Sequence, residues 1–173
     1  MTKPQDKKGM TLVELIIAVA ITAIVITAAC TMLYLGGNFF RSGTASASNQ
    51  QKAALAESYI QRYAATAFRL SPAKITDADG VAFTLSNHVL HIDQQTVKSG
   101  ETSQKEIASV DGIGQVHFQA DGKLLSYQII SQDGTYTLSG GTVMNNSVGD
   151  EADLTGEADG FLFMDLTAPA DSD

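Results

Sequence analysis

The stretch Lys7-Lys8-Gly9-Met10-Thr11-Leu12-Val13-Glu14-Leu15, continuing as IIAVAITAIVITAACTMLYL to Leu35, decides how this chain is built. A short basic leader meets a glycine, and an apolar run follows. Leu15 to Leu35 is 21 residues without a charge. At 1.5 Å per residue a helix of that length covers roughly 30 Å, the hydrocarbon thickness of a bilayer. Glu14 sits just inside the run, where an ionised side chain is costly in lipid. A chain that keeps a carboxylate there is expected to have a partner for it.

A secretory signal peptide is the competing reading of such a segment. Its apolar core is typically ~7–15 residues and closes at a small-residue cleavage site. Here the core is longer, and apolar character resumes after Ala28-Ala29-Cys30 at Met32-Leu33-Tyr34-Leu35. The lysines of the leader favour the cytoplasmic side, which places the C-terminal part outside. Ala18 with Thr22, and Ala23 with Thr27 and Thr31, recur every four residues and line helical faces suited to close helix packing in lipid.

Charge is spread unevenly. Residues 1–148 hold eleven acids and eleven bases, while residues 149–173 hold the other eight acids and no base, so the net charge of −8 comes from the tail. No dense Lys/Arg cluster lies outside the leader, so no direct nucleic-acid partner is expected. The single cysteine, Cys30, excludes an intrachain disulfide, so the soluble part must be held by packing.

Beyond Gly36-Gly37, which reads as a bend or local loosening up to about Ser48, helical periodicity returns. Ala53, Ala56, Ile60, Tyr63, Ala67 and Leu70 form one apolar stripe, and Ser71-Pro72 is the expected stop. After Pro72 the pattern is of short strands around 81–85, 89–91, 105–110, 115–119, 123–130, 136–138 and 161–166. Turns are expected at Ser86-Asn87, Asp121-Gly122 and Asp133-Gly134, with Gly140-Gly141 loosening the chain. The expected fold class is α+β: a long N-terminal helix, membrane-spanning then amphipathic, packed on a small antiparallel β-sheet. The divisions are 1–9 leader, 10–35 membrane helix, 36–72 amphipathic continuation, and 73–173 β-rich head with an acidic loop at 149–160.

The residues from Lys7 to Leu15 resemble the leader-cleavage motif of type IV pilins and pseudopilins. That pattern is a basic leader, Gly, a hydrophobic residue, Thr, Leu, an aliphatic residue and Glu, then about 20 apolar residues. The resemblance covers 7–35. It implies cleavage between Gly9 and Met10 by a prepilin peptidase that reads Lys8, Thr11 and Leu12, and N-methylation of Met10. It further implies charge pairing of Glu14 with the N-terminus of a neighbouring subunit. The implied partners are that peptidase, other pilin subunits, an inner-membrane assembly platform and the lipid bilayer. Met10 stands where phenylalanine is commoner, and the apolar run has no proline. The paired cysteines of many pilins are absent as well, which is closer to pilin-like proteins of Gram-positive bacteria or to minor subunits. The rival from another class is an unprocessed single-span anchor displaying an extracellular binding module.

Other constellations point elsewhere only weakly. His88 and His91 fall on opposite faces of a strand, which does not suit a shared metal. Asp150, Asp153, Glu157 and Asp159 offer oxygen ligands for Ca²⁺ but lack a regular calcium-loop spacing; a solvated acidic loop is the expectation. No nucleophile elbow or phosphate-binding glycine loop is present, so neither catalysis nor a cofactor is expected.

Overall fold

A computed structural model describes residues 11–147 and 158–168. The chain divides into two units, Met1–Ala45 and Ser46–Asp173. Helix α1 spans Leu12–Ala64. Gly36 and Gly37 are helical, so the expected loosening there does not occur. Two glycines cost ~1 kcal/mol each, which a helix with good formers on both sides carries cooperatively. Within the first unit the apolar side chains stay uncovered: Leu12, Ile16, Ile24, Leu33, Phe39 and Phe40 are all exposed. None of the most apolar window is buried inside the chain.

In the second unit α1 becomes one-sided. Ala53, Ala56, Ile60 and Ala64 are fully buried, at spacings of three and four. The expected stripe faces the core, with Tyr63 half-buried and Ala64 fully buried beside it, but its last two members, Ala67 and Leu70, are not helical. The helix ends at Ala64, six residues before Leu70. Its last turn tightens, with the Thr66 and Ala67 N–H groups donating to the carbonyls of Tyr63 and Ala64. The segment at Asn145-Asn146 then bonds the two carbonyls just past the helix end. Asn145 N–H donates to the Ala65 carbonyl, and the Asn146 side-chain amide to that of Thr66. Local sequence would carry the periodicity on to Pro72; the helix stops sooner, and long-range bonds hold the chain where it leaves the helix.

Among the described residues nine strands follow: β1 Arg69–Ser71, β2 Gly80–Ser86, β3 Val89–Lys98, β4 Glu101–Asp111, β5 Ile113–Asp121, β6 Leu124–Ser131, β7 Thr137–Val143, β8 Ala158–Asp159 and β9 Phe161–Asp165. They make two antiparallel sheets rather than one, ordered β1-β9-β2-β3-β4 and β7-β6-β5-β8. Leu70 lies in β1, paired with Met164 of β9. The β2–β3 turn uses Asn87 and His88, both with positive φ, which matches the right-handed twist of a two-residue hairpin. Strand β3 runs past His91 to Lys98 and turns at Ser99-Gly100 into β4. Asp159, within the expected acidic loop, belongs to β8 and pairs with His117 of β5.

Both sheets and the buried face of α1 share one apolar core, with Phe83, Leu90 and Leu162 from one sheet and Phe118, Leu125 and Ile129 from the other. Polar ties fix the helix over it. Lys52 reaches Asp111 at 2.8 Å. Asn49 donates to Asp133 in the β6–β7 turn, which also accepts from Ser131 and Thr135. Tyr127 donates to Glu57 and accepts from Gln61, each at 2.8 Å. A smaller cluster of Ala78, Ala82 and Phe163 is held by buried Gln95, whose amide donates to the carbonyls of Ile75 and Ala78.

Gly140-Gly141 is not a loosened segment but the middle of β7. A Cβ on Gly140 would sit 2.6 Å from the Tyr127 hydroxyl. The glycine is there to let that ring lie against the strand.

Candidate functional site at the start of the helix

Thr11 and Glu14 stand three residues apart at the N-terminus of α1. The Thr11 backbone N–H donates to Glu14 Oε2 at 2.9 Å, and the Thr11 hydroxyl donates to the same oxygen at 3.1 Å. In return the Glu14 N–H donates to Thr11 Oγ1 at 3.3 Å. This is a reciprocal capping box: Thr11 is the N-cap, Leu12 the first helical residue and Glu14 the third. The Leu15 N–H closes the first helical bond onto the Thr11 carbonyl at 3.2 Å. The spacing Thr-x-x-Glu before an apolar run was visible in the sequence as a helix start, a second meaning of residues noted only for the cleavage motif.

The arrangement has a chemical consequence. The capping box turns the carboxylate back toward the chain start rather than outward along the helix. The positive end of the helix dipole favours an anion there. Oε2 takes both Thr11 donors, while among the described residues Oε1 accepts no hydrogen bond. The site thus keeps acceptor capacity at the start of the helix.

The face beyond is prepared for an apolar environment. The hydroxyls of Thr22, Thr27 and Thr31 donate to the carbonyls four residues earlier, of Ala18, Ala23 and Thr27, at 2.7, 2.8 and 2.9 Å. None of these three hydroxyls needs water, and burial in lipid or against another helix leaves none of them unsatisfied. Ala23, Ile24, Thr27, Ala28 and Thr31 line a shallow groove along the helix. Cys30 is exposed on the same segment.

Lys8, Gly9 and Met10 lie outside the described residues, as do Asp150, Asp153 and Glu157. Leu12 is exposed at the helix start. His88 lies in the β2–β3 turn, whereas His91 sits in β3 with Nδ1 3.6 Å from Glu106 of β4. The two histidines are not brought together. Among the described residues no three His, Cys, Asp or Glu side chains are placed to hold a metal.

Residues 4–29 match the family model of the prokaryotic N-terminal methylation motif. Comparison with curated proteins and with solved structures gives no match. The matched residues run from the basic leader through the Thr11–Glu14 box into the uncovered apolar helix. This α+β, pilin-like chain therefore carries at its N-terminus the methylation motif characteristic of type IV pilins and pseudopilins.

Proposed function

We propose that the chain is a structural subunit, a minor pilin or pseudopilin, of a type IV pilus-like filament. It is stored in the membrane through the apolar half of α1, with the leader cytoplasmic and the head outside. A prepilin peptidase cuts between Gly9 and Met10, reading Lys8, Thr11 and Leu12, and Met10 is N-methylated. Cleavage creates an ammonium next to the capping box. Glu14 then pairs with the N-terminus of a neighbouring subunit, and the assembly platform extracts the helix into a filament core.

The observation that carries this reading is the methylation motif at 4–29 running into a helix whose apolar surface none of the described residues covers. Such a surface needs lipid or other helices, and both stages supply one. The capping box bears on the role given to Glu14, because it fixes the carboxylate at the start of the helix with one oxygen not taken by Thr11. Loss of the leader removes lysines that an apolar filament core would not accept.

Intact-mass measurement on protein from cells with active peptidase tests the processing. Loss of residues 1–9 with one added methyl is expected. A full-length N-terminus would instead support the unprocessed anchor. Glu14→Ala is expected to insert normally and fail to enter filaments, and normal incorporation would remove the pairing role.

A further inference from the structure

The sheet edges differ in how they are guarded. An edge strand offers unpaired N–H and C=O groups, and proteins blunt such edges with charges, prolines, bulges or short strands. Edge strand β4 carries Glu101, Lys105, Glu106 and Asp111 and a register shift opposite Ile92/Asp93. Edge strand β1 has three residues, including Arg69, and leads into Pro72; edge strand β8 has two. Edge strand β7, Thr-Leu-Ser-Gly-Gly-Thr-Val, has seven residues, no charge, no proline and no register shift against β6.

The ladder shows which groups β7 offers. The Ser131 N–H donates to the Tyr136 carbonyl at one end, and the Met144 N–H to the Lys123 carbonyl at the other. In an antiparallel pair hydrogen-bonded residues alternate, so Leu138, Gly140 and Thr142 aim their backbone groups at β6. Thr137, Ser139, Gly141 and Val143 aim theirs away, and all four are exposed.

We propose that β7 pairs antiparallel with β7 of a second copy, about a two-fold axis at Gly140. In this register Thr137 faces Val143 of the other copy and Ser139 faces Gly141. All four outward residues exchange both backbone bonds. Gly140 meets Gly140 in a non-hydrogen-bonded position, where Cα atoms approach to ~4.5 Å, and neither copy brings a Cβ. Charge complements the same register. The β6–β7 turn holds Asp133, whose carboxyl is held well below the usual range by hydrogen bonds from Ser131, Thr135 and Asn49. The two-fold sets this anion beside the other copy's Lys123 end, roughly 10 Å away at two strand spacings. The net charge of −8 opposes approach of two copies, and at 0.1–0.15 M salt both this repulsion and the Asp133–Lys123 attraction are weakened beyond ~8–10 Å, so the backbone pairing is the main term. This pairing does not depend on leader processing or on Glu14.

The test uses the full chain in detergent micelles at 0.15 M salt, with Cys30→Ala as background. Chains carrying Ser139→Cys are mixed with chains carrying Gly141→Cys and mildly oxidised. Facing residues of a hydrogen-bonded pair stand ~5.5 Å apart, within disulfide reach. The mixture is expected to form a covalent dimer at least tenfold faster than either variant alone. No dimer from the mixture, or equal rates from the single variants, overturns the proposal. As a second measurement, Ser139→Lys is expected to lower the dimer fraction by native mass spectrometry at least tenfold, and Ser103→Lys on β4 to leave it unchanged. Equal effects of the two, with both variants melting as the parent does, overturn it as well. If Ser139→Lys melts early, Thr137→Lys takes its place in the same comparison.

Discussion

Two adjacent glycines in β7 respond in opposite ways to the same methyl group. At Gly140 a Cβ would lie 2.6 Å from the Tyr127 hydroxyl and 2.8 Å from its Cε2 and Cζ. The ring cannot swing away freely, because its hydroxyl is tied to Glu57 and Gln61 on α1. Overpacking of this kind costs ~1–3 kcal/mol. Disturbing the hydroxyl's bonds adds ~1 kcal/mol, and the stiffer unfolded chain returns ~0.4–1 kcal/mol. The net for Gly140→Ala is a loss of about 2 kcal/mol. For a unit running from Ser46 to Asp173, ~2.1 cal/mol/K per residue gives ~0.27 kcal/mol/K, so Tm falls by roughly 7 °C. At Gly141 the nearest atoms to a Cβ are 3.5 Å away and φ is not in the left-handed region. Gly141→Ala is therefore expected to leave Tm unchanged or raise it by up to about 4 °C, through the unfolded-chain term of ~0.4–1 kcal/mol. Near-ultraviolet circular dichroism of the full chain in micelles follows the tyrosines as the head melts. Tyr127→Phe cuts the tether to α1, so Gly140→Ala should cost less in that background, a coupling a double-mutant cycle reads directly. Equal Tm values for the two alanine variants would refute the reasoning, because a loosened segment treats both glycines alike.

Two further outcomes test the polar ties. The Asp133 carboxyl is held low, chiefly by Ser131 and then by Thr135 and Asn49. It contributes stability that is present above the unfolded value of ~4 and lost as pH falls toward the folded one. Denaturant midpoints of the parent should therefore drop between pH 5 and pH 3 more steeply than those of Asp133→Asn; parallel curves would count against it. Asp111, lowered by Lys52, acts with the same sign and remains in both proteins. Arg69 pairs at 2.8 Å with Asp165, whose side chain is 2% exposed. Arg69→Gln should cost ~1.5–3 kcal/mol by urea titration with an unchanged m-value, since a charge-assisted bond to a buried carboxylate is lost.

The head has no disulfide and relies on α1 as a core element. Ile60 is fully buried among residues of both sheets, so the same helix that is uncovered at Leu12 and Phe40 closes the core at Ala53–Ala64. Sequence reading finds both regimes because they differ in pattern: an all-round apolar run against a stripe at spacings of three and four.

The N-terminal reading was available from residues alone because it is local. The basic leader, Gly9, the Thr11–Glu14 spacing and the length of the apolar run are short-range features, and so are the Asp-Gly and Asn-containing turns. What the tertiary structure decided depended on residues far apart in the chain. Helix α1 stops at Ala64, well before Pro72, and the carbonyls just past its end are bonded by Asn145 and Asn146, about eighty residues on. The segment Arg69–Ser71 is a strand because β9 offers it an edge. The strands divide into two sheets whose inner residues, Leu162 of one and Phe118 of the other, share a single core with the buried face of α1. Gly140 reads as slack until Tyr127, thirteen residues earlier, is seen lying over it. Local pattern fixes which segments are helical, extended or turned, whereas the ends, the partners and the meaning of a glycine come from contacts that only the closed chain makes.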